Sequence, residues 1–343
     1  MKFSYNWLKE IAGFKESPEK LAELLNIRSF EVEAVEKIGK DFALDAKIPT
    51  NRISDAANHM GLAKELAAIL NLKLKNKKPL VKTKIKKENR PSVQIKIAKP
   101  KLCSRYTAQE LEIKNIGLSP KWMQERLITS GMRPIDAVVD ITNYVMLETG
   151  TPLHAFDLDK IKGGKLTIRE SKAGEEVVTL DNRPHTLPQG VIVIQDAERL
   201  IDLAGIMGGA NSAASAQTKK ILLQAATFNP VKIYRASRML NFSSAASKIY
   251  SAGMDPNQTE IGLLRAIELF VKLLTAKPIG TPLDIYPEKA TPARILFRPE
   301  HASKAIGLDL PPSFYRETFR KLGFGISKKN NAFFVEIPTI RRD

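Results

Sequence analysis

The chain has 343 residues, of which 43% are hydrophobic, 27% charged and 7% aromatic, a composition that excludes a disordered or fibrous protein and leaves room for two or three hydrophobic cores. Lysine and arginine number 54 against 37 aspartate and glutamate, a net charge of +17, so polyanions are the natural partners. No run approaches the roughly 18 apolar residues of a membrane span, the opening MKFSYNWLKEIAGF lacks a secretory signal's apolar stretch, and one cysteine (Cys103) with four scattered histidines (His59, His154, His185, His301) argues against a disulfide or a structural zinc.

Ser17 and Pro18 stand where a helix cap and first turn belong, followed by Leu21, Leu24 and Leu25 at helical spacing. NHMGLAKELAAILNL, with Met60, Ala63, Leu66, Ala67 and Leu70 along one side, predicts a second helix. Lysines then crowd residues 73 to 87, a basic linker or edge strand; charge alone leaves a solvated edge as good a reading as a nucleic-acid contact. SVQIKIA alternates Val93, Ile95 and Ile97 as a strand, and Ser119-Pro120 opens a helix that stops at Gly131.

KLTIRE, EVVTL, GVIVIQD, LIDLAGIMGG and KILLQAATF predict a mostly antiparallel sheet region. TEIGLLRAIELFVKLLT predicts a long helix packed through Ile261, Leu264, Ile267, Val271 and Leu274, after which Pro278, Pro282 and Pro287 mark a linker. Strand RILFR, helix PSFYRETFRKL, a turn at SKKNNA and strand FFVEIP follow. The expected fold class is multidomain α+β: a small N-terminal domain (1–72), the basic linker (73–91), a larger mixed-sheet domain (92–288) and a partial third domain (289–343) whose thin core leans on a neighbour or continues in further sequence.

Three segments, MKFSYNWLKEIAGF, IDAVVDITNYVMLETGTPLHAFDLDKI and LAGIMGGANSA with LLQAATFNPVKIYRASRML and the turn at Gly253–Pro256, resemble the β subunits of bacterial phenylalanyl-tRNA synthetases. Weaker matches at IPTNR and HMGLAKELAA extend the resemblance over nearly the whole chain. It implies a cytoplasmic subunit of an α2β2 ligase, with the α subunit and tRNA(Phe) as partners, no membrane or DNA, and a tandem B3/B4-like editing domain followed by a partial B5-like domain. It also implies that ATP and Mg²⁺ serve aminoacylation in the α subunit, in keeping with the absence of a GxxxxGK[ST] loop here.

The resemblance further implies hydrolysis of tyrosine misattached to the tRNA. An apolar phenylalanine pocket rejects an added hydroxyl only about a hundredfold, so a second, hydroxyl-reading site is useful. It nominates His154, Gln224 and Ser244 as catalytic residues and Gly205, Gly208 and Ala246 as substrate-binding ones. Taken alone, the same residues also read as a core histidine, turn glycines and a local turn serine.

The departures from the family pattern are specific. Its glutamate in LLEAA is Gln224 here, and the charged pattern near RSEASSRFEKG becomes SSAASKIYSAG, losing charge at Ser243, Ala245, Ile249, Ser251 and Ala252, so weakened editing is expected. The family's oligonucleotide-binding barrel is replaced by the short IGKDFALDA, and Asp343 stands as a first Mg²⁺ ligand without its companions, as expected of a truncated chain. A non-catalytic RNA-binding or assembly scaffold and a free-standing trans-editing hydrolase are the rival expectations.

Overall fold

The computed structural model describes residues 1–74, 91–329 and 332–343, without the side chains of residues 328 and 329. Most of the lysine run expected to form the basic linker lies outside the described residues. Two compact units emerge, Met1–Asn76 with Ala290–Asp343, and Lys77–Lys289. Both mix helices with mainly antiparallel sheets, as an α+β chain does.

In the first unit, β1 (Lys2–Ser4) runs into α1 (Tyr5–Ala12), capped by the Ser4 hydroxyl accepting the Trp7 N–H. Ser17 caps α2 (Pro18–Arg28) through the Lys20 N–H, where the Ser-Pro pair predicts. β2 (Glu31–Ile38) turns at Gly39, in the left-handed region at φ +59°, into β3 (Asp41–Lys47). IGKDFALDA is therefore itself a tight turn and the central strand of the sheet β1-β3-β2. After α3 (Ile53–Ala56), α4 (His59–Leu70) closes a core of Phe3, Leu8, Leu21, Leu25, Leu44 and Leu62. His59 belongs to that core, its Nε2 accepting the Ser4 N–H at 3.0 Å.

The second unit begins with β4 (Gln94–Ile97) and β5 (Cys103–Glu112), then α5 (Lys121–Thr129), α6 (Ala137–Thr149) and β6 (Leu153–Asp157). Asp136 caps α6 by accepting the Val138 and Val139 N–H groups at 2.8 and 3.0 Å. Asp136→Ala is expected to cost about 1 kcal/mol, the usual worth of such a cap. Chemical denaturation checks it, and an unchanged midpoint would show that packing alone holds the helix start.

β7 (Lys165–Glu170), β8 (Glu175–Val178), β9 (Pro184–Leu187), β10 (Ile192–Gln195), β11 (Leu200–Leu203), β12 (Met207–Gly208) and β13 (Lys220–Phe228) follow. Then come α7 (Pro230–Met239), α8 (Ala245–Ala252), α9 (Pro256–Leu274) and β14 (Lys277–Ile285). The predicted strand region divides among a five-stranded sheet, β12-β11-β10-β7-β4, a four-stranded sheet, β14-β5-β13-β6, and the β8-β9 hairpin. Among the described residues all pairings of this unit are antiparallel except β4 with β7.

Two local expectations are corrected. The predicted proline linker is in part β14, which pairs with β5 at the sheet's edge. Pro278 and Pro282 are tolerated there because an edge strand has an unpaired side, and the register shifts between Ile279 and Leu283. On α9 the buried stripe is Thr259, Gly262, Leu263, Ala266, Ile267 and Phe270, while Ile261 and Val271 are exposed. The helix is apolar on more than one side, so spacing alone did not choose the face, and Gly262 does so by letting Thr151 approach where a Cβ would collide.

The chain returns to the first unit with β15 (Ala293–Phe297), α10 (Pro299–Ile306), α11 (Pro312–Lys321), β16 (Gly325–Lys329) and β17 (Ala332–Ile337), a β15-β17-β16 sheet around Tyr315, Phe333 and Val335. Residues 289–343, expected as a partial third domain, are thus grouped with the N-terminal segment. Polar contacts tie them to it: the Ser54 hydroxyl donates to the Ile340 carbonyl at 2.9 Å, and the Arg341 guanidinium lies 3.8 Å from the Asp55 carboxylate.

Candidate functional site

Where the two larger sheets of the second unit face each other, they enclose a cleft of about 150 Å³. The four-stranded sheet contributes His154 from β6 and Gln224 from β13, which stand directly opposite each other in the antiparallel register. From the five-stranded sheet come Asp202 on β11 and Gly208 on β12, also register partners. Ala246 and Tyr250 on α8 close a third side. A cavity near this volume holds a benzene ring, so the cleft is the size of one aromatic side chain.

Glycine is required at two points on the wall. A Cβ on Gly208 would stand 2.4 Å from His154 Cε1 and 2.7 Å from its Nε2. The imidazole therefore occupies the space that any other residue at 208 would fill. It is also fixed edge-on against Phe156, with ring centroids 4.5 Å apart. Gly205 adopts φ +72°, and a Cβ there would meet Ile233, Tyr250 and Phe228 at 3.0 to 3.2 Å.

The polar groups on the wall are poorly satisfied. Gln224 is 4% exposed, its Nε2 donates to Asp202 Oδ2 at 3.5 Å, and its Oε1 is buried without a hydrogen-bond partner. His154 Nε2 is likewise buried and unpartnered. Buried polar atoms are almost always paired in folded proteins, and leaving one unpaired costs about 1–3 kcal/mol. Two such atoms in one ring-sized cleft leave hydrogen-bonding capacity that no described residue satisfies.

Burial sets the charge state of the cleft. It holds the His154 imidazole down at about 4, so the ring is neutral at pH 7. It raises the Asp202 carboxyl to about 8, against a smaller lowering by the Gln224 hydrogen bond, so most of that carboxyl is protonated at pH 7. The Tyr250 phenol, whose Oη donates to the Pro152 carbonyl at 3.5 Å, is pushed well above its usual range. The His154 ring and most of the Asp202 carboxyl are thus uncharged at pH 7, leaving hydrogen-bonding groups rather than net charge on the wall.

Of the residues nominated from sequence, His154, Gln224, Gly205, Gly208 and Ala246 share this cleft. Ser244 stands behind it: its hydroxyl accepts the Ser247 N–H at 3.0 Å as the α8 cap and donates to the Ile206 carbonyl at 2.7 Å. It ties α8, which carries Ala246, to the loop between Gly205 and Gly208, a supporting position rather than a lining one. Asp343 lies in the other unit, its carboxylate engaged by Arg341 at 2.7 and 2.9 Å. A lone carboxylate already neutralised by a guanidinium does not fit Mg²⁺, and among the described residues no group of three or more His, Cys, Asp or Glu side chains could hold a metal. Sequence reasoning missed Asp202, whose signal was a single acid inside the apolar strand LIDLAG.

A family model described as the B3/4 domain matches residues 102–275, which include every lining residue of the cleft. The phenylalanine–tRNA ligase beta subunit of Carboxydothermus hydrogenoformans is 35% identical over 314 residues, covering 91% of this chain and 39% of that protein. That of Thermotoga maritima is 32% identical over 335 residues, covering 97% of this chain and 42% of that protein. The chain thus spans about two fifths of the length of these relatives. A crystal structure of an N-terminal fragment of the phenylalanyl-tRNA synthetase beta subunit from Pyrococcus horikoshii aligns over 99% of this chain and 94% of that one, with a TM-score of 0.51 and 14% identity, a likeness of fold.

Proposed function

Since this chain belongs to the B3/4 domain family and is related over most of its length to phenylalanine–tRNA ligase beta subunits, we propose that it serves as such a subunit and that its cleft hydrolyses tyrosine misattached to tRNA(Phe). In this reading it assembles with an α subunit as α2β2 in the cytoplasm. The α subunit joins phenylalanine to the tRNA with ATP and Mg²⁺, and the second unit of this chain removes the wrong amino acid.

The ring-sized cleft with two unpartnered polar atoms supports this reading most. A tyrosine ring fills the space against Phe228 and Tyr250, and its hydroxyl donates to Gln224 Oε1. Phenylalanine fills the same space but leaves that oxygen unsatisfied, and a site built to bond a hydroxyl rejects the analogue lacking it. His154 is a neutral ring held in one place by Gly208 and Phe156, suited to hydrogen-bonding the aminoacyl ester or its attacking water. Water adds to the acyl carbon, the ester C–O bond breaks, and free tyrosine and tRNA leave. An amide accepts a hydrogen bond more weakly than a carboxylate, so we place this editing below that of a relative with glutamate at the same position.

The test is deacylation of Tyr-tRNA(Phe) and Phe-tRNA(Phe) by the purified chain. Faster loss of tyrosine is expected. Loss of both at the uncatalysed rate, with tRNA still bound, favours the second reading, a binding scaffold. That reading draws on the absence of a charged catalytic group in the cleft at pH 7 and on the commitment of the Ser244 hydroxyl to capping. Under either reading the net charge of +17 supports tRNA binding largely through phosphate contacts, so affinity is expected to fall steeply with salt. A salt-independent affinity in a filter or anisotropy titration would contradict that.

A further inference from the structure

We infer that Asp202 is a specificity-determining partner of Gln224: it holds the amide with its oxygen turned into the cleft, so that acid and amide together read a ligand hydroxyl. This rests on the hydroxyl-reading role proposed for Gln224 and extends it to a residue on the opposite sheet.

The geometry has three parts. First, Asp202 and Gln224 come from different sheets, β11 and β13, and meet only because the sheets pack face to face. Their contact, Gln224 Nε2 to Asp202 Oδ2 at 3.5 Å, is the side-chain hydrogen bond that either group makes among the described residues. Second, an amide has two faces of opposite character. Turning its NH₂ toward Asp202 turns Oε1 away, and that oxygen is the buried, unpartnered acceptor of the cleft. The reverse orientation would present a donor to the ligand and favour a different chemistry. Third, Asp202 is 3% exposed within an otherwise apolar strand, LIDL, all four of whose residues are buried. Burying a carboxyl with a single long hydrogen bond is costly, and an apolar residue would pack there at less expense, so stability does not account for the acid.

A glutamine alone is ambiguous as a hydroxyl reader, because either end of its amide can face the ligand. An acceptor fixed behind it removes the ambiguity. When Asp202 is ionised it can only accept, and the amide orientation is set. When it is protonated its hydroxyl can also donate to a turned amide, as an asparagine side chain would, so it is the ionised acid that sets the orientation. That form leaves Oε1 toward the ring that enters, and a phenol, which can donate to it, is the ligand that fits. Tyr250 and His154 face the same space, and neither forms a hydrogen bond to the amide that would set its orientation.

The pair predicts a particular pattern in a double-mutant cycle. Asp202→Asn supplies both a donor and an acceptor behind the glutamine, freeing the amide to turn. Selectivity for a hydroxyl-bearing ring is then expected to fall about tenfold, the worth of one misdirected hydrogen bond. Gln224→Glu alone sets a second carboxyl beside Asp202, and two carboxyls at this distance share one proton, so it is expected to yield no gain. Asp202→Asn with Gln224→Glu rebuilds the acid–amide pair with its members exchanged and is expected to return selectivity to within about threefold of the unmodified chain.

The readout is binding of L-tyrosinamide against L-phenylalaninamide to each full chain at a pH about one unit above the Asp202 value of about 8, where the acid is ionised, measured by calorimetry beside a thermal melt that confirms folding. Deacylation of the two aminoacyl-tRNAs is measured separately. Tyrosinamide preference with the rescue pattern, in a chain that hydrolyses nothing, leaves the pair standing and defeats the editing reading. Losses that simply add in the double variant, or no tyrosinamide preference in the unmodified chain, overturn the pair. If the doubly substituted chain does not fold, Asp202→Ala decides: unchanged tyrosinamide preference overturns the inference, and a loss comparable to that of Asp202→Asn supports it.

Discussion

Replacing Gly208 with alanine is expected to slow hydrolysis of Tyr-tRNA(Phe) by roughly a hundredfold, the penalty that a displacement of about 1 Å imposes on a positioned group. The added methyl would lie 2.4 Å from His154 Cε1, closer than any carbon contact allows. Phe156 blocks retreat on one side, with its ring set edge-on to the imidazole. The ring must therefore swing away and take Nε2 out of the position it now holds in the cleft. Because the injury acts through the ring, Gly208→Ala should add little to His154→Ala, a non-additivity that separates it from general damage. Gly117→Ala serves as the control, since a Cβ there meets nothing within 4 Å and its backbone is not left-handed. A Gly208→Ala chain that edits at the unmodified rate would remove His154 from the reaction.

Asp202→Asn is expected to alter the pH dependence of stability more than any other single change in the cleft. Burial raises the Asp202 carboxyl to about 8, whereas in the unfolded chain it ionises near the ordinary aspartate value of about 3.9. Between those values the folded chain keeps a proton that the unfolded chain releases. The contribution is therefore fully present below the unfolded value and is lost as pH rises through about 8.

His154 has the opposite sign. Its folded value of about 4 lies below the ordinary imidazole value of about 6.5, so its contribution is present above the latter and lost as pH falls through the former. The two slopes oppose each other from about pH 4 to 6.5, and above that only Asp202 acts. Tyr106 and Tyr250, the phenols that feel the Asp202 charge, are both raised well above this window, and Gln224 does not titrate. Removing the carboxyl should therefore raise the melting temperature at pH 8.5 by several degrees or more relative to the unmodified chain, the difference growing by about 1.4 kcal/mol for each pH unit between about 4 and 8. The two chains should converge near pH 4. Parallel melting curves across the range would show that Asp202 is ionised at neutral pH in the folded chain.

The cleft was legible in the sequence only through motifs shared with a family, not through any local signal of its wall residues. Gly205, Gly208, His154 and Gln224 are nominated by the family resemblance; by themselves the glycines read as turn residues and His154 as a core histidine. Asp202 interrupts an apolar strand but was passed over. Its meaning depends on which strand faces which, and β11 meets β13 only through sheet packing that no local pattern encodes. The prolines of β14 misled for a related reason: their cost depends on whether the strand lies at an edge, a property of strand order rather than of the strand. On α9 the choice of face was settled by a glycine that admits Thr151, a partner about a hundred residues away in sequence. Local helices with explicit caps, such as α2 after Ser17, needed no such information.

The first unit is interrupted in sequence by the whole of the second, and this has a consequence for how the chain is made. Synthesis at about 5–20 residues per second delivers the roughly 210 residues of the intervening unit in on the order of ten to forty seconds. During that interval the N-terminal segment exists without its later half. It can bury Phe3, Leu8, Leu21 and Leu62 by itself, because that core draws only on the early residues. The acceptors and donors around Ser54 and Asp55 instead wait in water until Ile340 and Arg341 emerge. What the ribosome leaves open in the meantime includes the polar groups around Ser54 and Asp55, which water can satisfy until residues 340 and 341 arrive.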